Sequence, residues 1–148
     1  MPYQVSSFFM PNKAKPLASY PHAKRVGPFV FVSGISSRLP DDSYAGVSVN
    51  PETNELVLDI KEQTKAVLEN IKAIIVEMGG KGLENLVDVT VFLANMNDFD
   101  QYNSVYNQYF DGANGPARTT VEISRLPGKL PSKLLIEIKS TAYIPELN

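Results

Sequence analysis

Two charged side chains near the end of the chain have the types and settings that chemistry requires. Arg118 follows Gly115-Pro116-Ala117 at the start of a predicted strand, where a guanidinium can project into a cleft and bind a carboxylate through two parallel hydrogen bonds. Glu137 lies between two isoleucines in an apolar strand, and partial burial there would raise its pKa and suit it to proton transfer or to orienting water. Both residues also have structural explanations: Arg118 could pair with Glu122 or Glu137, and Glu137 could be an ordinary exposed glutamate.

Five further residues are candidates that simpler structural roles explain as well. Tyr20 could line a pocket or pack on a neighbouring hairpin. His22 is the only histidine, so it could sense pH or act in catalysis, although its basic neighbours favour a surface role. Gly34 ends a strand, where it permits close approach of a ligand or simply a turn. Arg38 lies in a long loop and could be merely solvated, and Asn97 is better explained as a helix cap than as a ligand.

The composition excludes several kinds of site. The 148 residues contain no cysteine and one histidine, which excludes disulfides, thiolate metal sites, cysteine nucleophiles and a multi-histidine zinc centre within one chain. The sequence has no phosphate-cradling glycine loop, no dinucleotide fingerprint and no Ser-His-Asp set. With 14 Lys and Arg against 16 Asp and Glu, the net charge is -2, so binding to nucleic acid is not expected.

The chain is expected to be one soluble, cytoplasmic domain. No apolar run approaches the roughly 20 residues of a membrane helix, so no membrane partner is expected. The start, Met1-Pro2-Tyr3-Gln4, lacks a basic region followed by an apolar stretch, and no signal peptide is expected. Since repeats and low-complexity tracts are absent from the sequence, we predict a single domain over residues 1–148.

Periodicity and turn residues predict an α+β order of elements. The predicted strands are 23–26, 29–33, a short one at 55–58, 86–93, 117–124 and 134–144, with a long polar loop over 34–54. One helix begins at its cap Asp59 and ends at Gly79-Gly80, and a second is capped by Asn97 or Asp98. We predict one mixed sheet with both helices on one face.

Alternation along the last two strands predicts where the charges lie. Arg118 shares a strand face with Thr120, and Glu137 shares one with Lys139, because alternate side chains point the same way. We predict that both charged faces lie opposite the helices. Such a face is either solvated or a polar interface between subunits that forms a pocket.

Several motifs, in order and at coherent spacing, resemble the RidA (YjgF) family over residues 18–144. They are Val30-Phe31-Val32-Ser33-Gly34, Gln63-Thr64, Val67-Leu68-Glu69-Asn70-Ile71, Val91-Phe92-Leu93, Met96-Asn97-Asp98-Phe99, Tyr106 with Tyr109-Phe110, Gly115-Pro116-Ala117-Arg118-Thr119 and Ile136-Glu137-Ile138. The resemblance implies a chorismate-mutase-like α+β fold that assembles as a homotrimer, with three sites between subunits. It also implies hydrolysis of small enamine or imine carboxylates without metal or organic cofactor.

Within that family the chain is most similar to the 2-aminomuconate deaminase branch. The similarity lies in the segments Lys13-Ala14-Lys15-Pro16, Tyr20-Pro21-His22, Ser33 to Asp41 and Ala45-Gly46-Val47, and in the last strand. It implies conversion of 2-aminomuconate and water to 4-oxalocrotonate and ammonia, a step in aromatic and tryptophan-derived catabolism.

The resemblance also implies roles for individual residues. Arg118 would bind the carboxylate beside the imine carbon, and Glu137 would orient or deprotonate the attacking water. Tyr20 would line the pocket and Asn97 would help to close it. Backbone groups of two further residues would hold substrate and water, namely those of Gly34 and Thr120.

One residue departs from the family pattern, and one role is left open. Thr120 stands where many relatives carry a cysteine, so a thiol mechanism is excluded. The second carboxylate of the implied substrate needs another cation, for which we consider Arg38 or His22.

Three other functions remain open. The first, in the same reaction class, is a broad 2-iminobutanoate/2-iminopropanoate deaminase. The second is a ribonuclease or translation inhibitor, against which the net charge of -2 argues. The third is a non-catalytic ligand-binding or chaperone-like trimer.

Overall fold

The computed structural model describes residues 4–145; Met1–Tyr3, where the expectation about a signal peptide falls, lie outside this range. Apolar residues that alternate in the strands and recur at helical spacing in the helices give two layers. The strands are β1 (Val5–Phe8), β2 (Ala23–Val26), β3 (Phe29–Ile35), β4 (Val47–Val49), β5 (Leu56–Leu58), β6 (Leu86–Leu93), β7 (Ala117–Glu122) and β8 (Ile136–Tyr143). The helices are α1 (Ile60–Glu77) and α2 (Phe99–Tyr109). A short 3-10 turn at Leu83–Asn85 lies between α1 and β6, and another at Met96–Asp98 directly precedes α2.

Six strands form one mixed sheet in the order β1-β2-β3-β8-β6-β7. Within it only β6 and β7 run parallel, and the other pairs are antiparallel. Buried residues of β3, β6 and β8 pack with those of α1 and α2 in one core. The predicted α+β architecture, with one mixed sheet and two helices, is confirmed.

The first helix shows how directly local chemistry sets its bounds. The Asp59 carboxylate accepts hydrogen bonds from the backbone N–H groups of Lys61 and Glu62, at 2.9 and 3.1 Å, which is the contact an N-cap makes. At the other end Gly79 adopts φ +93°, a conformation that glycine reaches without a steric penalty. The predicted cap and helix end are confirmed.

Three local features differ from the sequence-based expectation. The strand β1 was not predicted, and Val47–Val49, inside the predicted loop, pairs with β5 in a separate two-stranded ribbon. Asp98, one of the two residues predicted to cap α2, occupies its N-cap position, but the side-chain contact typical of a cap is absent. The chain enters α2 through a 3-10 turn, where the Asn95 side chain accepts from the backbone N–H of Asn97 and Asp98 makes no side-chain cap.

The register of the sheet places Arg118 and Glu137 on opposite faces. Arg118 of β7 pairs with Val89 of β6, and Val89 in turn pairs with Ser140 of β8. Val89 and Ser140 are buried beneath the helices, so Arg118 lies on the sheet face that meets the helices. Glu137 lies opposite Phe92, on the face turned away from the helices. The prediction that both charged faces lie opposite the helices is therefore wrong for β7. Alternation defines two faces of a strand, but the pairing with β6 decides which of them meets α2.

In the range that the structure describes, neither helix is long and apolar enough to cross a membrane.

Candidate active site

A cavity of about 440 Å³ surrounds the Glu137 side chain. Its walls come from the segment 13–22, the end of β3, the loop after it, α1, β8 and the segment that precedes β8. Of the residues that the sequence suggested, the cavity brings together Tyr20, His22, Gly34, Arg38 and Glu137. A concave site that gathers several polar side chains is the usual setting of a small-molecule site.

Glu137 is held in an environment that disfavours its charge. It is partly buried, and this burial raises the pKa of its carboxyl group. Gly34 makes room for it, because a Cβ at position 34 would overlap Oε1 of Glu137 and would lie 2.9 Å from its carboxyl carbon. The group that Gly34 allows to approach the end of β3 so closely is thus the carboxyl group of Glu137.

The cavity carries more positive than negative charge. Lys13, Arg38 and Lys139 line it, and Glu137 is the single carboxylate among the described lining residues. Neither lysine was among the site residues that the sequence suggested. The alternation along β8 already put Lys139 on the face of Glu137, two residues further along the strand, whereas Lys13 reaches the cavity only through the tertiary fold.

The guanidinium of Arg38 is partly committed to the protein. It donates to the backbone carbonyl of Lys15 and forms an ion pair with Asp42 at 3.3 Å. Its side chain is 13% exposed, so it is not merely solvated. Arg38 thereby links residues 13–22, the covering segment of the cavity, to the loop that follows β3.

The expected surface role of His22 is wrong, because the residue is only 7% exposed. The backbone N–H of Met10 donates to its Nδ1 at 2.9 Å, so Nε2 carries the proton and donates to the Ala14 carbonyl at 2.8 Å. Both ring nitrogens are therefore occupied by backbone groups. His22 fixes the covering segment and has no nitrogen left for a ligand.

Arg118 rests on aromatic side chains of α2. Its guanidinium carbon lies 4.7 Å from the ring centroid of Tyr106, 5.4 Å from that of Tyr102 and 5.9 Å from that of Phe99, distances typical of cation–π contacts. One of its nitrogens donates to the Asn103 side chain at 2.8 Å. Arg118 is otherwise exposed, so this support leaves part of its fork free for a carboxylate.

Tyr102 and Tyr106, which lie beneath Arg118, belong to the core and also support the cation. Burial raises the pKa of Tyr106 to about 12 and raises that of Tyr102, so both phenols stay neutral. The hydroxyl of Tyr102 is hydrogen-bonded to that of Thr120 at 2.6 Å. The sequence did not reveal this second role, because helical spacing reports burial and not what a ring contacts.

Within one chain the structure does not bring Arg118 and Glu137 together. The backbones at the two positions are separated by two strand spacings and three residues along the strand, roughly 10 Å in each direction. Arg118 and Thr120 lie beside α2, outside the cavity, and Asn97 lies exposed in the turn before that helix. One chain therefore supplies an acid-lined cavity at one place and a supported arginine at another.

Between residues 4 and 145 no group of three or more His, Asp or Glu side chains is arranged to hold a metal ion.

Comparison with known proteins gives the family. Residues 10–144 match the family described as Endoribonuclease L-PSP. A RutC family protein of Pyrococcus abyssi is 45% identical over 136 residues, which cover 91% of this chain and 94% of that protein. The provisionally named reactive intermediate deaminase TdcF of Escherichia coli is 34% identical over 113 residues, 75% of this chain and 78% of that protein.

Solved structures agree with the sequence matches. The E. coli TdcF structure with bound serine has a TM-score of 0.72 and 28% identity, and the match covers 93% of this chain and 98% of that one. RidA from an Antarctic Psychrobacter has a TM-score of 0.73 and 30% identity, covering 94% and 99%. The chain belongs to the L-PSP endoribonuclease family, which includes the RidA/YjgF and RutC proteins. The family includes proteins named as reactive intermediate deaminases as well as endoribonucleases.

Proposed function

We propose that this chain is a hydrolase that converts small imine or enamine carboxylates to the oxo acid and ammonia. The observation that carries the proposal is the Glu137 carboxyl group, which is partly buried with a raised pKa in a cavity rich in cations. Such a group exchanges protons with a bound water more readily than an exposed glutamate would. The family, which includes proteins named reactive intermediate deaminases, supports this reaction class.

The proposed chemistry needs one base, one cation and water. An enamine first becomes the imine by losing a proton from nitrogen and gaining one at carbon. Glu137 then removes a proton from water as the oxygen bonds to the imine carbon and passes it to the nitrogen, giving a carbinolamine. In the collapse of this intermediate Glu137 takes the proton of the new hydroxyl as the C=O bond forms and delivers it to the nitrogen as the C–N bond breaks, which releases ammonia. The sum is one imine and one water giving one oxo acid and one ammonia.

The cation is Arg118 of a neighbouring copy in this proposal. Arg118 would bind the carboxylate beside the imine carbon, fix its geometry and offset the developing charge. Because the two residues lie on opposite faces of one sheet, the site is completed between subunits of a homotrimer. The sheet face away from the helices supports such self-association, since Phe29, Phe31 and Tyr143 on it are each 45% exposed.

We further propose 2-aminomuconate as the substrate, with 4-oxalocrotonate and ammonia as products. Its two carboxylates suit a cavity with three cationic side chains and one acid among the described lining residues. Tyr20 would contact the substrate from the covering segment, and backbone groups of Gly34 and Thr120 would hold substrate and water. Asn97 would help to close the site from the neighbouring copy.

The proposal is tested by following ammonia release from two substrates generated in situ, 2-aminomuconate and 2-iminopropanoate. We expect both to be hydrolysed faster than in buffer, with the larger kcat/KM for 2-aminomuconate. A larger kcat/KM for 2-iminopropanoate would instead identify a broad 2-imino acid deaminase. Ammonia release from both substrates at no more than the rate in buffer would refute the proposed function.

The family description favours a second candidate function, an endoribonuclease. Incubating the same protein with RNA at low and high salt tests it, because binding to phosphates weakens as salt rises. Salt-sensitive cleavage that Arg118→Ala abolishes would support this activity. We expect none, since the net charge is -2.

Gly34→Ala is expected to lower kcat for ammonia release by about 10²-fold while the fold is kept. The added Cβ would overlap the Glu137 carboxyl group, whose flexible side chain would swing away, and displacing a catalytic group by about 1 Å can cost this much. Gly112→Ala is the matched control, because nothing lies within 4 Å of a Cβ there. Steady-state kinetics and circular dichroism check both variants, and an unchanged kcat for Gly34→Ala would contradict the expectation.

A further inference from the structure

We propose that Lys139, assisted by Lys13, binds a second anionic group of the substrate and makes the site selective for dicarboxylic imines. The inference rests on the proposed function and names the residue that determines its specificity. It replaces the two candidates that the sequence suggested for the distal carboxylate, His22 and Arg38.

The contacts of those two candidates argue against them. Both ring nitrogens of His22 are hydrogen-bonded to backbone groups of the covering segment, so a carboxylate would have to displace one of these bonds. The charge of Arg38 is already opposed by Asp42, and its guanidinium also donates to the Lys15 carbonyl. Arg38 and His22 thus hold the walls of the cavity in place.

Lys139 has the position and the free donors that the role requires. It follows Glu137 by two residues on β8, so both side chains leave the same face, about 7 Å apart at their Cα atoms. A group a few bonds from the carbon attacked at Glu137 therefore comes within reach of the lysine. Its Nζ donates to the Val32 carbonyl at 3.3 Å, and an ammonium group has three protons to donate.

The charge balance of the cavity points the same way. Glu137 offsets one of the three cationic side chains that line it, and Asp42 opposes a second, Arg38. Lys13 lines the same cavity as Lys139 and adds a positive field from the covering segment. One positive charge thus remains in excess, which favours a ligand with an anionic group besides the one bound by Arg118.

Kinetics of Lys139→Gln test this inference. We expect the ratio of kcat/KM for 2-aminomuconate to that for 2-iminopropanoate to fall about 10–100-fold, as expected for loss of a hydrogen bond to a charged group. The loss should appear mainly in KM, and Lys139→Arg should restore most of the ratio. Lys65→Gln is the matched control, since Lys65 is an exposed helix lysine outside the cavity. An unchanged ratio in Lys139→Gln would overturn the inference.

Binding without turnover separates this inference from the proposed function. Isothermal titration of the wild type with hexanedioate and with pentanoate is expected to show tighter binding of the dianion, and Lys139→Gln should remove most of the difference. If the wild type does not accelerate ammonia release but shows this lysine-dependent preference, the proposed function fails and the anion subsite stands. If the preference is absent or survives in Lys139→Gln, the subsite fails whatever the activity.

Discussion

Replacing Arg118 by alanine is expected to lower kcat/KM for imine hydrolysis by about 10²–10³-fold, the usual loss when a donor that stabilises developing charge is removed. The side chain is exposed beyond its contacts with α2 and Asn103, so the fold should persist. Arg118→Lys should recover only part of the activity, because lysine keeps the charge but lacks the two-pronged geometry. Ammonia release measures the effect, and Arg125→Ala, an exposed arginine outside the cavity, serves as control.

Mixing two inactive variants tests whether the site is shared between subunits. When Arg118→Ala and Glu137→Gln chains are unfolded together and reassembled, some sites in mixed oligomers should combine a wild-type Arg118 from one chain with a wild-type Glu137 from another. We expect activity to return in the mixture and not in either variant treated alone. No recovery, although mixed oligomers are shown to form, would contradict the shared site.

Glu137→Gln is the second change with a large expected effect, a loss of about 10²–10⁴ in kcat, the typical contribution of a general base. The amide keeps the size of the side chain but cannot take a proton from water. In the wild type the acid limb of the kcat/KM profile should lie above 4.5, the ordinary pKa of glutamate, because burial raises the pKa of Glu137. An acid limb below that value would argue against Glu137 as the base.

The same variant is expected to be more stable than the wild type at pH 8. A raised pKa means that the folded state binds the proton more tightly than the unfolded state, so wild-type stability falls as pH rises from 4.5 through the folded pKa. Glutamine avoids the cost of burying a charge. The two melting temperatures should converge below pH 4.5, where the acid is protonated in both states. A variant that is less stable at pH 8 would show that the charge is compensated.

Much of the fold followed from the sequence where local chemistry decides the outcome. The start and end of α1 and the hairpin of β2 and β3 are properties of neighbouring residues, and the sequence predicts their bounds within two residues. The pairing of β1 with β2 and of β4 with β5 depends on partners that no local pattern names. The prediction of the sheet face on which Arg118 lies was wrong for the same reason, since that face is set by the register between β6 and β7.

The residues of the candidate site also divide into those that the local sequence predicts and those that depend on distant partners. Alternation in β8 singled out Glu137 as an acid between buried isoleucines, and the structure places it partly buried at the cavity. The burial of His22 depends on backbone groups of Met10 and Ala14, so its type and neighbours could not reveal it. Lys13 lines the cavity only because the covering segment, residues 13–22, folds over β3 and β8.

The fit between Gly34 and Glu137 links the fates of two positions that are distant in sequence. A methyl group at position 34 would occupy the space that the acid now fills, so a chain with alanine there would either have its acid displaced or need a shorter side chain at position 137. A shorter acid would withdraw the carboxyl group towards the sheet and away from any bound water. Drift at one position is therefore restrained by the other, and the length of the acid is fixed by a neighbour that never touches the substrate through a side chain.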